Sequence, residues 1–238
     1  MTTAKHAIVI GASSGIGAEI VKQLSSSGWK VAAVARREDR LKALPSSVLT
    51  FTHDVSNFSE VPNLFLEMTR QLGGLDAVYY CAGVMPEVGE HEFDFAKDKE
   101  IVEVNVLGAI AWLNQAAIRF ENTRHGVIVG IGSVAGDRGR MGQPVYNMSK
   151  AALATYLEAL RNRLSRYGVR VVTVKPGPVE TEMTASLRLK GAISADAAAA
   201  KIIAAADRNG EVYLKFTHRV AFYLIKRVPS WLFRKLKI

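Results

Sequence analysis

Short runs of β-branched and apolar residues alternate with longer segments of helical periodicity along most of this chain. Seven runs are typical of strands, at residues 7–10, 31–34, 48–52, 77–80, 127–131, 169–174 and 212–214. The segments between them, such as 59–72, repeat apolar residues at the spacing of an amphipathic helix. Strands that alternate with helices form βαβ units, whose right-handed crossovers place helices on both faces of a parallel sheet. The alternation therefore predicts an α/β fold with a doubly wound, seven-stranded parallel sheet.

The length of 238 residues favours one large domain rather than two. Hydrophobic residues make up 49% of the chain and charged residues 22%, which excludes disordered and fibrous proteins. Its single cysteine, Cys81, cannot form an intrachain disulfide, so we expect a reducing, cytoplasmic setting. A strand begins close to residue 5, and we therefore expect no signal peptide. We expect no membrane span, because no window holds about 18 uninterrupted apolar residues.

The net charge of +9 is unevenly distributed along the chain. Seven basic residues and no acidic residue occur from position 212 onward. The rest of the chain holds 24 of the 31 basic residues and 22 acidic ones, a net charge of +2. We therefore divide the chain into a nearly neutral domain, residues 1–214, and a basic, aromatic C-terminal tail, residues 215–238. Because the tail mixes its cations with bulky apolar residues and carries no recognition motif, we expect no nucleic acid partner.

Unusual residues follow six of the predicted strands. They are Gly11-Ala12-Ser13-Ser14-Gly15-Ile16-Gly17, Arg36-Arg37, His53-Asp54-Val55, Cys81-Ala82-Gly83, Gly132-Ser133 and Lys175-Pro176-Gly177. Ligands of open α/β sheets bind outside the carboxyl ends of the strands. Each motif alone is compatible with an ordinary turn, but their recurrence at six equivalent strand ends predicts one binding site.

The first of these motifs suits a dinucleotide. Gly11, Gly15 and Gly17 allow a tight turn, a close approach of backbone to a pyrophosphate, and close packing of the helix that follows. The spacing is GxxxGxG rather than GxGxxG, and a glycine-rich turn by itself also occurs without a nucleotide. Its position directly after the first strand favours the dinucleotide.

The end of the second strand distinguishes the two nicotinamide dinucleotides, since a carboxylate there binds a ribose hydroxyl and an arginine accepts a 2'-phosphate. Here Arg36 and Arg37 occupy that position and no carboxylate does. A guanidinium binds phosphate in a fork geometry, which favours NADP(H) over NAD(H). The alternative is a solvated arginine at a helix start, the interpretation that we assign to Arg40.

Tyr146 and Lys150 lie four residues apart after Pro144, so they share one side of a predicted long helix. An ammonium near a phenol lowers its pKa from about 10, as a general acid or base requires. Ser133 precedes Tyr146 by 13 residues, so its hydroxyl either joins the phenol or caps a turn. Asn105 lies on a small, apolar helix face, where its amide either bridges backbone groups or anchors a water chain.

This ordered set of motifs resembles the short-chain dehydrogenase/reductase family over residues 4–214. The resemblance depends on residues 11–17, Asp54-Val55, Ala82-Gly83, Asn105, Ser133, Tyr146-Asn147-Met148-Ser149-Lys150 and Pro176-Gly177-Pro178-Val179. It implies a Rossmann fold and a catalytic tetrad. Tyr146 would protonate a carbonyl oxygen as hydride arrives from the nicotinamide, and Ser133 would orient that oxygen. Lys150 would hold the nicotinamide ribose and lower the pKa of Tyr146, while Asn105 would position a water that relays protons.

The motifs and the resemblance together predict the cofactor contacts. They are Gly11, Ser13, Ser14, Gly15, Ile16, Gly17, Arg36, Arg37, Asp54, Val55, Ala82, Gly83, Asn105, Tyr146, Lys150, Pro176, Gly177, Val179 and Thr181. No metal site is expected. The family commonly has Asn-Asn-Ala-Gly where this chain has Tyr80-Cys81-Ala82-Gly83, so we expect altered packing around a buried, apolar thiol with the cofactor site retained.

The expected function is an NADP(H)-dependent oxidoreductase that interconverts a ketone or aldehyde with an alcohol. The alternative is a non-catalytic NADP(H)-binding regulatory or scaffolding protein on the same fold. Substrate selection should depend on a loop at about 183–193 and on residues 135–143, where Met141, Met183 and Leu187 suggest an apolar pocket. The resemblance also implies a homodimer or homotetramer that pairs the helices containing Asn105 and Tyr146.

Two interpretations of the tail stay open. Residues 215–227 and 231–237, separated by Pro229, have the composition of an interfacial helix that would bind the anionic inner face of a membrane. Alternatively, the tail packs on a partner subunit or over the substrate cleft, with its cations in water.

Overall fold

The computed structural model describes residues 4–186 and 190–236. The strands are β1 (His6–Ile10), β2 (Lys30–Ala35), β3 (Leu49–Thr52), β4 (Ala77–Tyr80), β5 (Val127–Ile131), β6 (Arg170–Lys175), β7 (Val179–Glu180), β8 (Ile193–Ser194) and β9 (Gly210–Tyr213). The helices are α1 (Gly15–Ser26), α2 (Glu38–Lys42), α3 (Val61–Leu72), α4 (Phe95–Val102), α5 (Gly108–Thr123), α6 (Pro144–Leu164), α7 (Ala195–Ala205), α8 (Phe216–Arg227) and α9 (Ser230–Phe233).

Seven strands form one sheet in the order β3-β2-β1-β4-β5-β6-β9, and every neighbouring pair is parallel. The predicted seven-stranded, doubly wound sheet is confirmed. From the β1–β4 pair, successive strands are added outward in opposite directions across the sheet. At this point such sheets open a crevice for ligands. A separate pair, β7 with β8, was not predicted, because two-residue strands leave no periodic pattern in the sequence.

Successive side chains of each central strand enter opposite layers of the core. In β1, Ile8 and Ile10 pack in the layer built from α3, α5 and α6, which also buries Trp112. Val9 packs in the opposite layer, with Ile20 of α1 and with side chains of α7. Both faces of the sheet are thus covered, which is why the central strands β4 and β5 are buried throughout, whereas the edge strand β3 alternates.

A single helical stretch runs through α4 and α5, joined by a π-helical turn at Glu103–Leu107. The stretch Phe95–Thr123 is long and apolar enough to cross a membrane by length and composition, with 44% of its most apolar window buried. In this fold it packs against α3, α6 and β4 as a core helix. The buried Tyr80 hydroxyl donates to the carbonyl of Val104 at 2.8 Å, which ties the π-helical turn to the end of β4.

Candidate active site

A cavity of about 770 Å³ lies at the carboxyl ends of the central strands. Of the predicted cofactor-binding and catalytic residues, all line this cavity except Asp54 and Asn105. The Asp54 carboxylate instead accepts hydrogen bonds from the backbone amide and the hydroxyl of Ser56, at 2.9 and 2.7 Å. The topology therefore brings six separate sequence motifs to one site.

The glycine-rich turn leaves no room for side chains. Gly11 has a φ of +86°, and a Cβ there would lie 2.4 Å from the backbone nitrogen of Ala82. A Cβ on Gly17 would lie 2.2 Å from the carbonyl oxygen of Gly11. The turn thus packs directly on the end of β4 and leads into the N-terminus of α1, whose amides favour an anion.

Two arginines follow β2 at the edge of the cavity. Arg37 donates to the hydroxyls of Ser13 and Ser14, the latter at 2.6 Å, and forms a 2.7 Å ion pair with Glu182. Arg36 lies 3.5 Å from Asp54. Arg40, assigned above to solvent, is half exposed but also pairs with Glu182, at 3.3 Å. Guanidinium groups and serine hydroxyls are thus adjacent at this end of the cavity.

Tyr146 and Lys150 lie on one side of α6, as the four-residue spacing predicts. The Lys150 ammonium lies 5.6 Å from the centre of the Tyr146 ring and donates to the Ile131 carbonyl at 3.1 Å. Burial lowers the pKa of Lys150 to about 8. Burial raises the pKa of Tyr146, while the Ser133 hydroxyl and the Arg140 guanidinium beside the phenol oppose that rise.

Asn105 lies in the π-helical turn with no solvent exposure. Its amide oxygen accepts from the Val84 amide at 2.8 Å, and its nitrogen donates to the Val84 carbonyl and to the Ser149 hydroxyl, at 3.0 and 3.1 Å. The amide therefore bridges backbone groups, one of the two expected alternatives. A Cβ on Gly83 would lie 3.3 Å from the Asn105 oxygen and 3.4 Å from the Lys150 nitrogen, so this glycine allows both side chains to converge.

Cys81 lines the cavity and is half buried as a residue, and it packs against one of the two core layers as an apolar side chain. Low local solvation raises the pKa of its thiol to about 12, which keeps the thiol protonated at neutral pH. The adjacent Ala82 and Gly83 also line the cavity, so the departure from Asn-Asn-Ala-Gly leaves the cavity wall in place.

The expected substrate segments contribute only in part. Met183 lines the cavity, but Met141 does not and is 60% exposed, so its expected place in the pocket was wrong. Leu187 lies outside the described residues. Arg140 was not among the predicted site residues, and its Nε is buried without a hydrogen-bond partner among the described residues. Nothing in the sequence marks Arg140, because only the folded loop places it beside Tyr146.

The tail packs over the cavity, which matches one of the two interpretations. His218 and Phe222 of α8 line the cavity, and a Cβ on Gly177 would lie 2.1 Å from the His218 ring. These residues and Ile225 recur at helical spacing and are half buried, while their neighbours on α8 are exposed. That spacing is the sequence signal for a side of α8 that faces inward, and the predicted site did not include these residues.

A buried acidic residue fastens the tail to the loop that follows Ser133. The Asp137 side chain has no solvent exposure and accepts from Lys175, Lys226 and Tyr213, at 2.8, 2.7 and 2.7 Å. Burial opposes ionisation of this carboxyl, but the three hydrogen bonds outweigh it and lower the pKa of Asp137. Arg138 adds a bond to the Lys226 carbonyl at 3.1 Å. The loop beside the phenol and the tail thus form one packed unit.

Comparison with known proteins gives consistent matches. The family model described as short chain dehydrogenase matches residues 5–191. An uncharacterized oxidoreductase of Myxococcus xanthus is 34% identical over 189 residues, which cover 76% of this chain and 75% of that protein. Carbonyl reductase family member 4 of Xenopus tropicalis is 31% identical over 186 residues, covering 77% and 79%.

Solved structures share the fold at lower identity. A short chain dehydrogenase from Burkholderia cenocepacia J2315, in complex with NADP, superimposes with a TM-score of 0.86 at 23% identity, over 99% of this chain and 98% of that one. A variant of actinorhodin polyketide ketoreductase with NADPH gives a TM-score of 0.79 at 24% identity, over 90% and 96%.

We expect Asp137→Asn to loosen α8 and to lower the free energy of unfolding by about 2–4 kcal/mol, because a buried charge network loses its anion. Because the folded-state pKa of Asp137 is depressed, its stabilisation is present at neutral pH and is lost as the pH falls through that depressed value. Hydrogen exchange of the amides of residues 216–227 and urea unfolding measure the two effects. Asp207→Asn, at an exposed carboxylate, is the control. If Asp137→Asn left the hydrogen-exchange protection of the α8 amides unchanged, Asp137 would not hold α8 in place.

Proposed function

The chain belongs to the short-chain dehydrogenase/reductase family, and from that premise we propose that it is an NADP(H)-dependent oxidoreductase that interconverts a carbonyl compound with an alcohol. The single observation that carries this proposal is that Tyr146, Ser133 and Lys150, with the Lys150 ammonium 5.6 Å from the Tyr146 ring centre, line the same cavity as the glycine-rich turn. A proton donor and an anion-binding turn are the two parts that hydride transfer to a carbonyl requires of the protein.

The residues at the glycine-rich end fit a dinucleotide. Without side chains at Gly11 and Gly17, a pyrophosphate can approach the backbone at the start of α1. Arg37, with Ser13 and Arg36, supplies donors for a 2'-phosphate, which favours NADP(H) over NAD(H). Ala82, Pro176 and Thr181 line the remaining path towards Tyr146. When bound, the nicotinamide supplies or accepts the hydride.

At the other end, the protein's task is to hold and move one proton. Tyr146 donates its phenolic proton to the carbonyl oxygen during reduction and takes it back during oxidation. Ser133 orients that oxygen through its hydroxyl. Lys150, whose pKa burial lowers to about 8, is charged at neutral pH and favours the phenolate. Asn105 holds the Val84 backbone through two hydrogen bonds, and in this proposal it supports a proton relay towards the Lys150 ammonium.

Arg140 is a second cation at the phenol. Its charge opposes the rise in the pKa of Tyr146 that burial causes, and it lies on the segment proposed to select the substrate. Met183, Phe222 and Val84 add apolar groups to the lining of the cavity that also contains Arg140. Such a pocket suits an apolar ketone or aldehyde.

We also infer self-association through the helices that contain Asn105 and Tyr146. Leu107, Ile118 and Met148, on or beside these helices, are exposed apolar residues. Pairing these helices between two copies would bury such residues and form a homodimer or homotetramer. In this scheme residues 1–214 form the catalytic unit and residues 215–238 an accessory tail.

We expect Tyr146→Phe to reduce carbonyl-dependent NADPH oxidation by about 10²–10⁴-fold, because the proton donor is removed. NADPH binding, followed by its fluorescence, should be retained. Tyr156→Phe is the matched control on the same helix, since its hydroxyl bonds only Asn114 among the described residues, at 2.8 Å. Tight NADPH binding without turnover of any carbonyl in a broad panel would instead favour the regulatory or scaffolding protein.

We expect Arg140→Met to shift the pH dependence of both directions upward by about one pH unit. Loss of this cation raises the pKa of Tyr146 further. Alcohol oxidation needs the phenolate, so its rate should begin to rise only at higher pH. Carbonyl reduction needs the phenol, so its rate should fall only at higher pH. Initial rates in both directions, with Arg163→Met as control, measure the shift; unchanged profiles would remove Arg140 from the proposal.

We expect Arg37→Leu to weaken NADPH binding about tenfold more than NADH binding, because a charged hydrogen bond to the 2'-phosphate is lost. Glu182→Gln should have the opposite effect, since it frees Arg37 from its ion pair. Titration of both cofactors into each variant gives the dissociation constants, with exposed Arg70→Gln as control. Equal losses for both cofactors in Arg37→Leu would show that Arg37 only supports the turn through Ser13 and Ser14.

A further inference from the structure

The outward side of α8 and the segment after it expose large apolar residues. Phe216 is 75% exposed, and Val220, Tyr223 and Leu224 follow it at helical spacing on the side opposite His218. Beyond Pro229, Trp231 is 60% exposed and Leu232 is also exposed. We call the residues Phe216, Val220, Tyr223, Leu224, Trp231 and Leu232 the outer face. Exposed apolar residues grouped along one helix side and the segment after it mark an interaction surface.

Exposed cations border the outer face. They are Arg219, Arg227, Arg234 and Lys235, and residues 215–236 contain no acidic residue. The Arg227 guanidinium lies 3.6 Å from the centre of the Tyr223 ring, so cationic and apolar groups are directly adjacent. Lys226 differs from them, because its ammonium is already paired with Asp137. The surface therefore attracts an anionic, apolar partner.

A second copy of the chain fits this surface poorly. A symmetric contact would place the same patch on both sides of the interface and bring positive charge against positive charge. Each copy would have to bury its cations without an acidic residue of the tail to pair with them. An anionic lipid surface supplies both complements, since aromatic side chains insert at the level of the headgroups and cations bind lipid phosphates.

We propose that the tail docks the protein on an anionic membrane surface through the outer face. The opposite side of α8, which carries His218 and Phe222, lines the cavity. One helix diameter, about 10 Å, then separates the lipid from the cavity. This assignment rests on the proposed function: the substrates are carbonyl compounds that dissolve in lipid and reach the cavity beside α8.

Flotation of the full-length protein with vesicles tests the docking without any use of activity. We expect flotation with vesicles of phosphatidylcholine containing phosphatidylglycerol, and about tenfold less with phosphatidylcholine alone or at high salt. Two double variants of the tail should each lower the partition coefficient about tenfold. One combines Leu224→Ser with Trp231→Ser, and the other combines Arg234→Gln with Lys235→Gln. The matched controls are exposed residues outside the tail, Leu66→Ser with Phe93→Ser and Lys30→Gln with Arg70→Gln, which should float like the wild type.

Unchanged NADPH binding and circular dichroism establish that each variant is folded. Absence of flotation, equal flotation with neutral vesicles, or equal loss in the control variants would overturn the docking. A dimer that Leu224→Ser with Trp231→Ser dissociates, without vesicle binding by the wild type, would replace the membrane with a second copy. If flotation holds but anionic vesicles leave turnover of a lipid-soluble carbonyl unchanged, the docking stands and the substrate assignment is overturned.

Discussion

Close backbone contact between the turn after β1 and the end of β4 is the constraint on which the cavity depends. Gly11 allows that contact because a Cβ there would lie 2.4 Å from the backbone nitrogen of Ala82, and Gly17 keeps the turn itself tight, with a Cβ position 2.2 Å from the Gly11 carbonyl oxygen. The contact holds the N-terminus of α1 at the point where the strand order reverses. The same point brings Gly83 between Asn105 and Lys150, so the glycine-rich turn and the residues proposed for proton transfer share one support.

Burial determines the pKa values of Tyr146 and Lys150 in the cavity. A phenol in this setting resists ionisation, and the Ser133 hydroxyl and the Arg140 guanidinium partly offset that resistance. Burial also destabilises the charged form of Lys150, which lowers its pKa to about 8. Burial thus moves the two pKa values in opposite directions, upward for Tyr146 and downward for Lys150, so the enclosure of the cavity is part of the proposed chemistry.

The tail contributes to that enclosure. Asp137 joins Lys226 of α8 to Lys175 of β6, so the end of the sheet, the loop beside the phenol and the tail are linked through one buried carboxylate. A change in the position of α8 would therefore displace the loop that carries Arg140. The proposed contact of α8 with lipid would act on the same element that lines the cavity.

The seven long strands and the site motifs were predictable from the sequence alone, because apolar runs and glycine spacing reflect local requirements of strands and turns. The spacing of Tyr146 and Lys150 likewise determined their shared side of α6. The place of Arg140, the exclusion of Met141 from the cavity and the inward face of His218 and Phe222 were decided only by the tertiary structure. These positions depend on which loop and which helix lie opposite each other across the sheet, and contacts between segments distant along the chain leave no periodic signal in the sequence.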